Sequence, residues 1–261
     1  MQSSMYSALF GALSSEHRLD IIANNLANAN TSGFKREKYA FEDTFVSYAH
    51  DQIMEPKLDL RQKKLFPPPV HLARPRIAGY QTDFTQGGLK STGSQLDFAI
   101  QGPGFFKVQS EGGGEYYTRN GNLHKNLAGE LVNARGDRLL GVGGPIALPE
   151  NASLIEVGPD GQIFANNELV GQIQVVELED PQVLEKFGHN LFRAKDGRVP
   201  VEQEPVNSQV VQGYLESSNI NVVEEMVNMI ETQRAFEAYG KVMSTTNETD
   251  TKAITRVGKA L

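Results

Sequence analysis

Val222 to Leu261 reads VVEEMVNMIETQRAFEAYGKVMSTTNETDTKAITRVGKAL, and this stretch decides the fold. Steps of four and three from Val222 reach Met226, Met229, Gln233, Phe236, Gly240, Met243, Asn247, Asp250, Ile254, Val257 and Leu261. Eight of these twelve positions are apolar. That is a heptad-like stripe on a helix. At ~1.5 Å per residue, roughly forty residues make a rod near 60 Å long. A single globular domain rarely needs such a helix, so the stretch reads as part of a coiled coil or a helical assembly. Ser217 or Ser218 is the expected cap, with Asn219 and Asn221 competing.

Working outward, the N-terminal end repeats the logic. Ser3 to Asn30 contains no Pro and one Gly, Gly11. Met5, Leu9, Ala12, Leu19, Ala23 and Leu26 recur at steps of three and four, with Glu16 in one polar slot. The helix is expected to end near Asn30–Gly33, because Gly33 adopts a left-handed conformation at little cost. Ala23 to Asn30 carries four asparagines in eight residues, which helix propensity alone does not select. Asn24 and Asn28 share one face at i,i+4. Buried in a helical seam, such amides need partners and so penalise wrong registers; at a fraying end they are polar decoration.

The middle is different. Tyr39 to Arg76 holds a basic, proline-rich run: Lys57, Arg61, Lys63, Lys64, Arg74 and Arg76 surround Pro67-Pro68-Pro69. Three consecutive prolines favour an extended conformation, so this is a linker or an arm able to dock on an acidic neighbour. From Leu96 to Tyr214 the pattern is of strands, including Leu96–Gln101, Phe105–Gln109, Tyr116–Arg119, Leu154–Val157, Gln172–Leu178 and Leu191–Ala194. Gly112-Gly113-Gly114, Asn120-Gly121, Pro159-Asp160-Gly161 and Asp196-Gly197 punctuate them. Arg135-Gly136-Asp137, between Leu131-Val132 and Leu139-Leu140, reads as a hairpin turn. The expected class is α+β: N- and C-terminal helices form a discontinuous coiled-coil-like domain around a central all-β domain. The expected divisions are an N-terminal helix over 1–38, an arm over 39–80, a β-rich domain over 81–215 and a C-terminal helix over 216–261 that packs with the first.

Motifs for chemistry are missing. The 261 residues include no Cys, which removes disulfides, thiolate nucleophiles and Cys-ligated metals together. No two of His17, His50, His71, His124 and His189 have the spacing of a helical metal site. Gly141-Val142-Gly143-Gly144 lacks the third glycine of a dinucleotide loop, and Pro145 follows it. No catalytic residue, metal or cofactor is expected. The acidic balance, net −7, argues against a nucleic-acid binder. No apolar run approaches the ~20 residues of a membrane span, and Arg18 is the first cation, so a secretory signal with a basic start is not expected. Two readings from other classes remain: a glycan-active enzyme, suggested by the acid-bearing β region, and a binding module dimerised through its helices.

Three stretches then resemble one family. Ile21 to Arg36, IIANNLANANTSGFKR, is similar to the N-terminal signature of flagellar axial proteins, the rod, hook and hook-associated group. Gly213 to Glu237, GYLESSNINVVEEMVNMIETQRAFE, resembles the C-terminal signature. Leu96 to Phe106 and Tyr117-Thr118-Arg119-Asn120-Gly121 resemble the start of the β-domain in rod and hook proteins. Length and a single β-domain are closer to the rod proteins than to the hook. Gly144-Pro145-Ile146-Ala147-Leu148-Pro149 and the tail Asn247 to Ile254 favour the proximal-rod type, while the long arm is more typical of the distal rod. The resemblance implies a non-enzymatic drive-shaft subunit. It implies self-assembly with other rod subunits in the periplasm, after passage through the flagellar export apparatus without a cleaved signal and without membrane insertion. The residues expected at the assembly interface are Leu9, Leu19, Ile22, Asn24, Leu26 and Asn28, with Val222, Met226, Met229, Ile230, Phe236 and Met243.

Overall fold

The computed structural model describes residues 2–46, 72–152, 154–195 and 198–257. Two helices, α1 over Gln2–Ala27 and α2 over Val222–Val257, flank a β-rich centre, which is the expected α+β architecture. In the contest of caps at α2, Asn221 wins. Its Oδ1 accepts from the backbone N–H groups of Val223 (3.2 Å) and Glu224 (3.4 Å), and its carbonyl takes the first helical bond from Glu225. Glu224 and Glu225 in the first turn suit the positive end of the helix. Further along, the hydroxyls of Thr245, Thr246, Thr249, Thr251 and Thr255 bond back to carbonyls one turn earlier, so these polar groups are satisfied within the helix.

The chain divides into two compact units. The first joins Met1–Ile22, Tyr39–Tyr80 and Val227–Leu261. In the region read as an arm, Glu37–Val46 and Leu72–Thr82 are strands that pair with each other. The triple proline and the cations Lys57, Arg61, Lys63 and Lys64 lie outside the described residues. Over its first four turns the inward face of α1 is made of small residues: Ala8, Ala12 and Ser15 are buried, whereas Met5, Leu9 and Leu13 are exposed; only at Ile21 and Ile22 do large apolar side chains turn inward. Gly11 explains the choice. A Cβ there would stand 2.5 Å from the Tyr239 ring, so the absent side chain is the space into which α2 inserts its aromatic. Glycine inside a helix costs about 1 kcal/mol relative to alanine, and this contact offsets that cost. A double-mutant cycle checks it. Gly11→Ala is expected to raise stability by about 1 kcal/mol when Tyr239 is already Ala, and to lose that gain when Tyr239 is present. Thermal unfolding followed by circular dichroism reads both backgrounds; an equal effect in the two would remove Tyr239 as the reason for Gly11.

The second unit joins Ala23–Lys38 and Gln81–Met226. Among the described residues its main sheet runs in the order Leu184–Gly188, Leu191–Ala194, Glu115–Thr118, Phe105–Gln109, Arg138–Gly141, Leu131–Val132, His124–Lys125. Val175–Leu178 also pairs with Phe105–Gln109, through Val175 and Val176, and with Glu202–Gln203, through Glu177 and Leu178. Leu131–Val132 and Arg138–Gly141 pair antiparallel across the Arg135-Gly136-Asp137 turn, whose geometry Asn133 fixes by accepting from the N–H groups of Arg135 and Asp137. Side chains alternate across a strand, so Phe105 and Phe106 point to opposite faces. Both are buried, because the strand lies between two apolar clusters. Phe106, Val108, Leu139 and Leu191 belong to the larger one. On the other face Phe84, Phe105 and Phe192 meet edge-to-face at 5.3–6.2 Å between centroids.

Candidate assembly surfaces and the buried junction

Within the second unit the three signature stretches converge on one buried ionic cluster. Gly33 turns the chain at φ +70°, a conformation that glycine tolerates, and donates its N–H to the Glu216 carbonyl at 2.8 Å. A Cβ on Gly33 would stand 2.5 Å from the backbone nitrogen of Asn120, so the close approach is to the YTRNG strand end itself. Two residues on, Lys35 is fully buried and donates to Glu216 Oε1 (2.6 Å) and to the Thr85 carbonyl (2.7 Å). Arg119, also buried, donates to the Gly102 carbonyl at 2.8 Å, reaches Glu216 Oε2 at 3.4 Å and lies over the Phe105 ring. The Gly87 N–H completes the shell of Glu216 at 2.9 Å. Burial lowers the Lys35 amine below its ordinary value, and the Glu216 carboxylate opposes that shift. One carboxylate thus ties the exit of α1, the β-domain and the strand Tyr214–Glu216 that leads to α2.

A second layer surrounds it. Asn219 Oδ1 accepts from the Arg36 N–H at 2.8 Å, and its amide donates to the Asp83 and Thr85 carbonyls. Asn25, the most buried of the clustered asparagines, exchanges two bonds of 3.0 Å with the Glu37 backbone. Asp83 pairs with Lys38 (2.8 Å) and Arg36 (3.0 Å). Burial alone would raise its carboxyl. The hydrogen bonds from Lys38, from Thr85 and from Arg36 outweigh burial and hold it well below the usual carboxylate range. Because the folded-state value is depressed, Asp83 contributes stability above the unfolded value of about 4, and that contribution falls away as pH drops below it. Asp83→Asn is therefore expected to lower the urea midpoint at pH 7 and to flatten its decline between about pH 5 and pH 3. Parallel acid limbs for the two proteins would contradict this.

The interface residues expected from the sequence fall into separate groups. Ile22 is buried at 1% exposure, with Leu19, Leu26, Asn28, Met229 and Met243 partly buried. Leu9, Asn24, Val222, Met226, Ile230 and Phe236 are exposed. Val223, Val227, Val242 and Ile254 are exposed as well, so apolar side chains stand exposed at intervals along α2, most densely over Val222 to Ile230. Asn24 and Asn28 line a groove of about 670 Å³ together with Asn120, Asn133, Asn190 and Lys186. Lys35, Arg119 and Glu216 carried no role in the sequence reading. Their signal was their place inside all three signature stretches.

Known proteins match along the whole length. Three family models fit: "Flagella basal body rod protein" over residues 6–35, "Flagellar hook protein FlgE/F/G D1 domain" over 99–165 and "Flagellar basal body rod FlgEFG protein C-terminal" over 211–256. The flagellar basal-body rod protein FlgF of Caulobacter vibrioides is 38% identical over 99% of both chains. The FlgF of Mesorhizobium japonicum is 33% identical over 99% of both. The rod protein FlgG of Buchnera aphidicola from Acyrthosiphon pisum is 34% identical over 95% of this chain and 97% of its own.

Proposed function

The chain belongs to the flagellar basal-body rod proteins, and from that premise we propose that it is a subunit of the proximal-rod type, delivered by the flagellar export apparatus. Its role is structural: it self-assembles with other subunits into the rod and is not an enzyme. The family assignment leaves no place for the glycan-active reading. Among the described residues no group of His, Asp or Glu side chains is placed to hold a metal ion, and no helix is long and apolar enough to cross a membrane.

The observation that carries the finer reading is end-to-end correspondence with FlgF proteins over 99% of both chains. The exposed apolar surface of α2 supplies the physics. Burial of such area stabilises by roughly 25 cal/mol per Å², and a neighbouring subunit is the means of burying it. Contacts that build an open array must join two different patches of successive subunits. The terminal helices, with Leu9, Leu19, Ile22, Asn24, Leu26, Asn28, Val222, Met226, Met229, Ile230, Phe236 and Met243, supply those patches in this reading. Basal bodies isolated from a strain lacking the gene test the position. A proximal subunit leaves rods that stop short and carry no distal-rod protein, restored by expressing this chain. Rods that keep their proximal-rod proteins and lack only the distal segment would move the chain to the distal position.

A further inference from the structure

A second groove of the β-domain, of about 650 Å³, is acidic. Ile173, Val175 and Val210 contribute an apolar floor, and Asp160, Glu202 and Glu204 supply carboxylates. No Lys, Arg or His is among its lining residues. Glu202 is held by Lys107 at 3.1 Å. Asp160 and Glu204 are exposed, and neither forms an ion pair among the described residues. The same chain carries the complementary charge elsewhere. Arg61 to Val70, RQKKLFPPPV, has three cations and no carboxylate in a protein of net charge −7, and Leu65, Phe66 and Val70 follow the cations.

We propose that the acidic groove of one copy receives the Arg61–Val70 segment of a neighbouring copy. The proposal rests on the self-assembly reading and adds a specific contact to it. The cations meet the carboxylates of Asp160 and Glu204, and the apolar Leu65-Phe66 that follows them covers the valine and isoleucine floor. Groove and segment are different surfaces, so the contact is head-to-tail and propagates from copy to copy. Its ion pairs lie at an open rim, where salt screens them.

Two measurements test it. A fluorescently labelled peptide of residues 61–70 is titrated with the purified full chain and read by anisotropy. Saturable binding is expected, weakened about tenfold by Asp160→Lys combined with Glu204→Lys, and weakened also by raising NaCl from about 0.05 to about 0.5 M. No saturation, or binding indifferent to the two substitutions, would overturn the proposal. The substituted residues are exposed, and circular dichroism checks that the fold is retained. The second measurement uses the absence of cysteine from the chain. Lys63→Cys and Glu204→Cys in one chain are expected to give a ladder of disulfide-linked multimers on oxidation of isolated rods. A disulfide within single chains only, or none, would overturn it. Rods built by the parent chain are imaged in parallel. If these form without a ladder, the groove contact fails and the rod assignment stands; if the parent chain enters no rod, the assembly reading fails first.

Discussion

Glu216→Ala is expected to remove about 3–5 kcal/mol of stability, because it leaves Lys35 and Arg119 buried without their shared counter-charge. The arithmetic is asymmetric. Replacing a whole buried ion cluster by apolar groups of similar volume is often neutral, but removing one member strands the others. Lys35 has no exposed surface into which its ammonium can turn, and the Thr85 carbonyl alone does not neutralise it. Urea unfolding of the purified chain reads the loss. Lys35→Met in the Glu216→Ala background is expected to return part of it, since one stranded charge is then gone. A Glu216→Ala protein with an unchanged midpoint would show that the cluster does not hold the β-domain to its flanking segments.

Val227→Asp with Ile230→Asp is expected to abolish swimming while leaving the monomer folded. The two residues are 50% and 53% exposed, so carboxylates there stay in water in the free chain. Asp and Val have similar helix propensity, and Asp is somewhat worse than Ile, so the unfolding midpoint should move by the equivalent of about 1 kcal/mol or less. In the proposed rod contact the same positions would lie against a neighbour, where the carboxylates would lose their hydration. Motility in soft agar, basal-body images and the monomer's unfolding curve together give the answer. Normal swimming would place the subunit contacts on another face of α2. An unfolded monomer would place both side chains in a contact within the chain.

The sequence by itself marked both terminal helices and much of the β-domain between them, but not the strands Glu37–Val46 and Leu72–Thr82, which it read as an arm. Heptad spacing marked both helices and turn residues marked strands such as Phe105–Gln109 and Leu191–Ala194, because these signals depend on neighbours within a few residues. It also identified the family, since whole stretches of side chains were retained together. Only the tertiary structure decided which helix face turns inward. Hydrophobicity favours Met5 and Leu9, but the inserted Tyr239 ring requires small residues near it, so Ala8, Gly11 and Ala12 face in there while Met5, Leu9 and Leu13 remain exposed. The same holds for the asparagines. Asn24 and Asn28 have the spacing of a shared face, yet Asn25 is the buried one because its amide matches the backbone of Glu37. The Lys35–Glu216 pair was beyond any local pattern. Its partners are 181 residues apart, and a charge reads as surface until the fold brings its counter-charge to it.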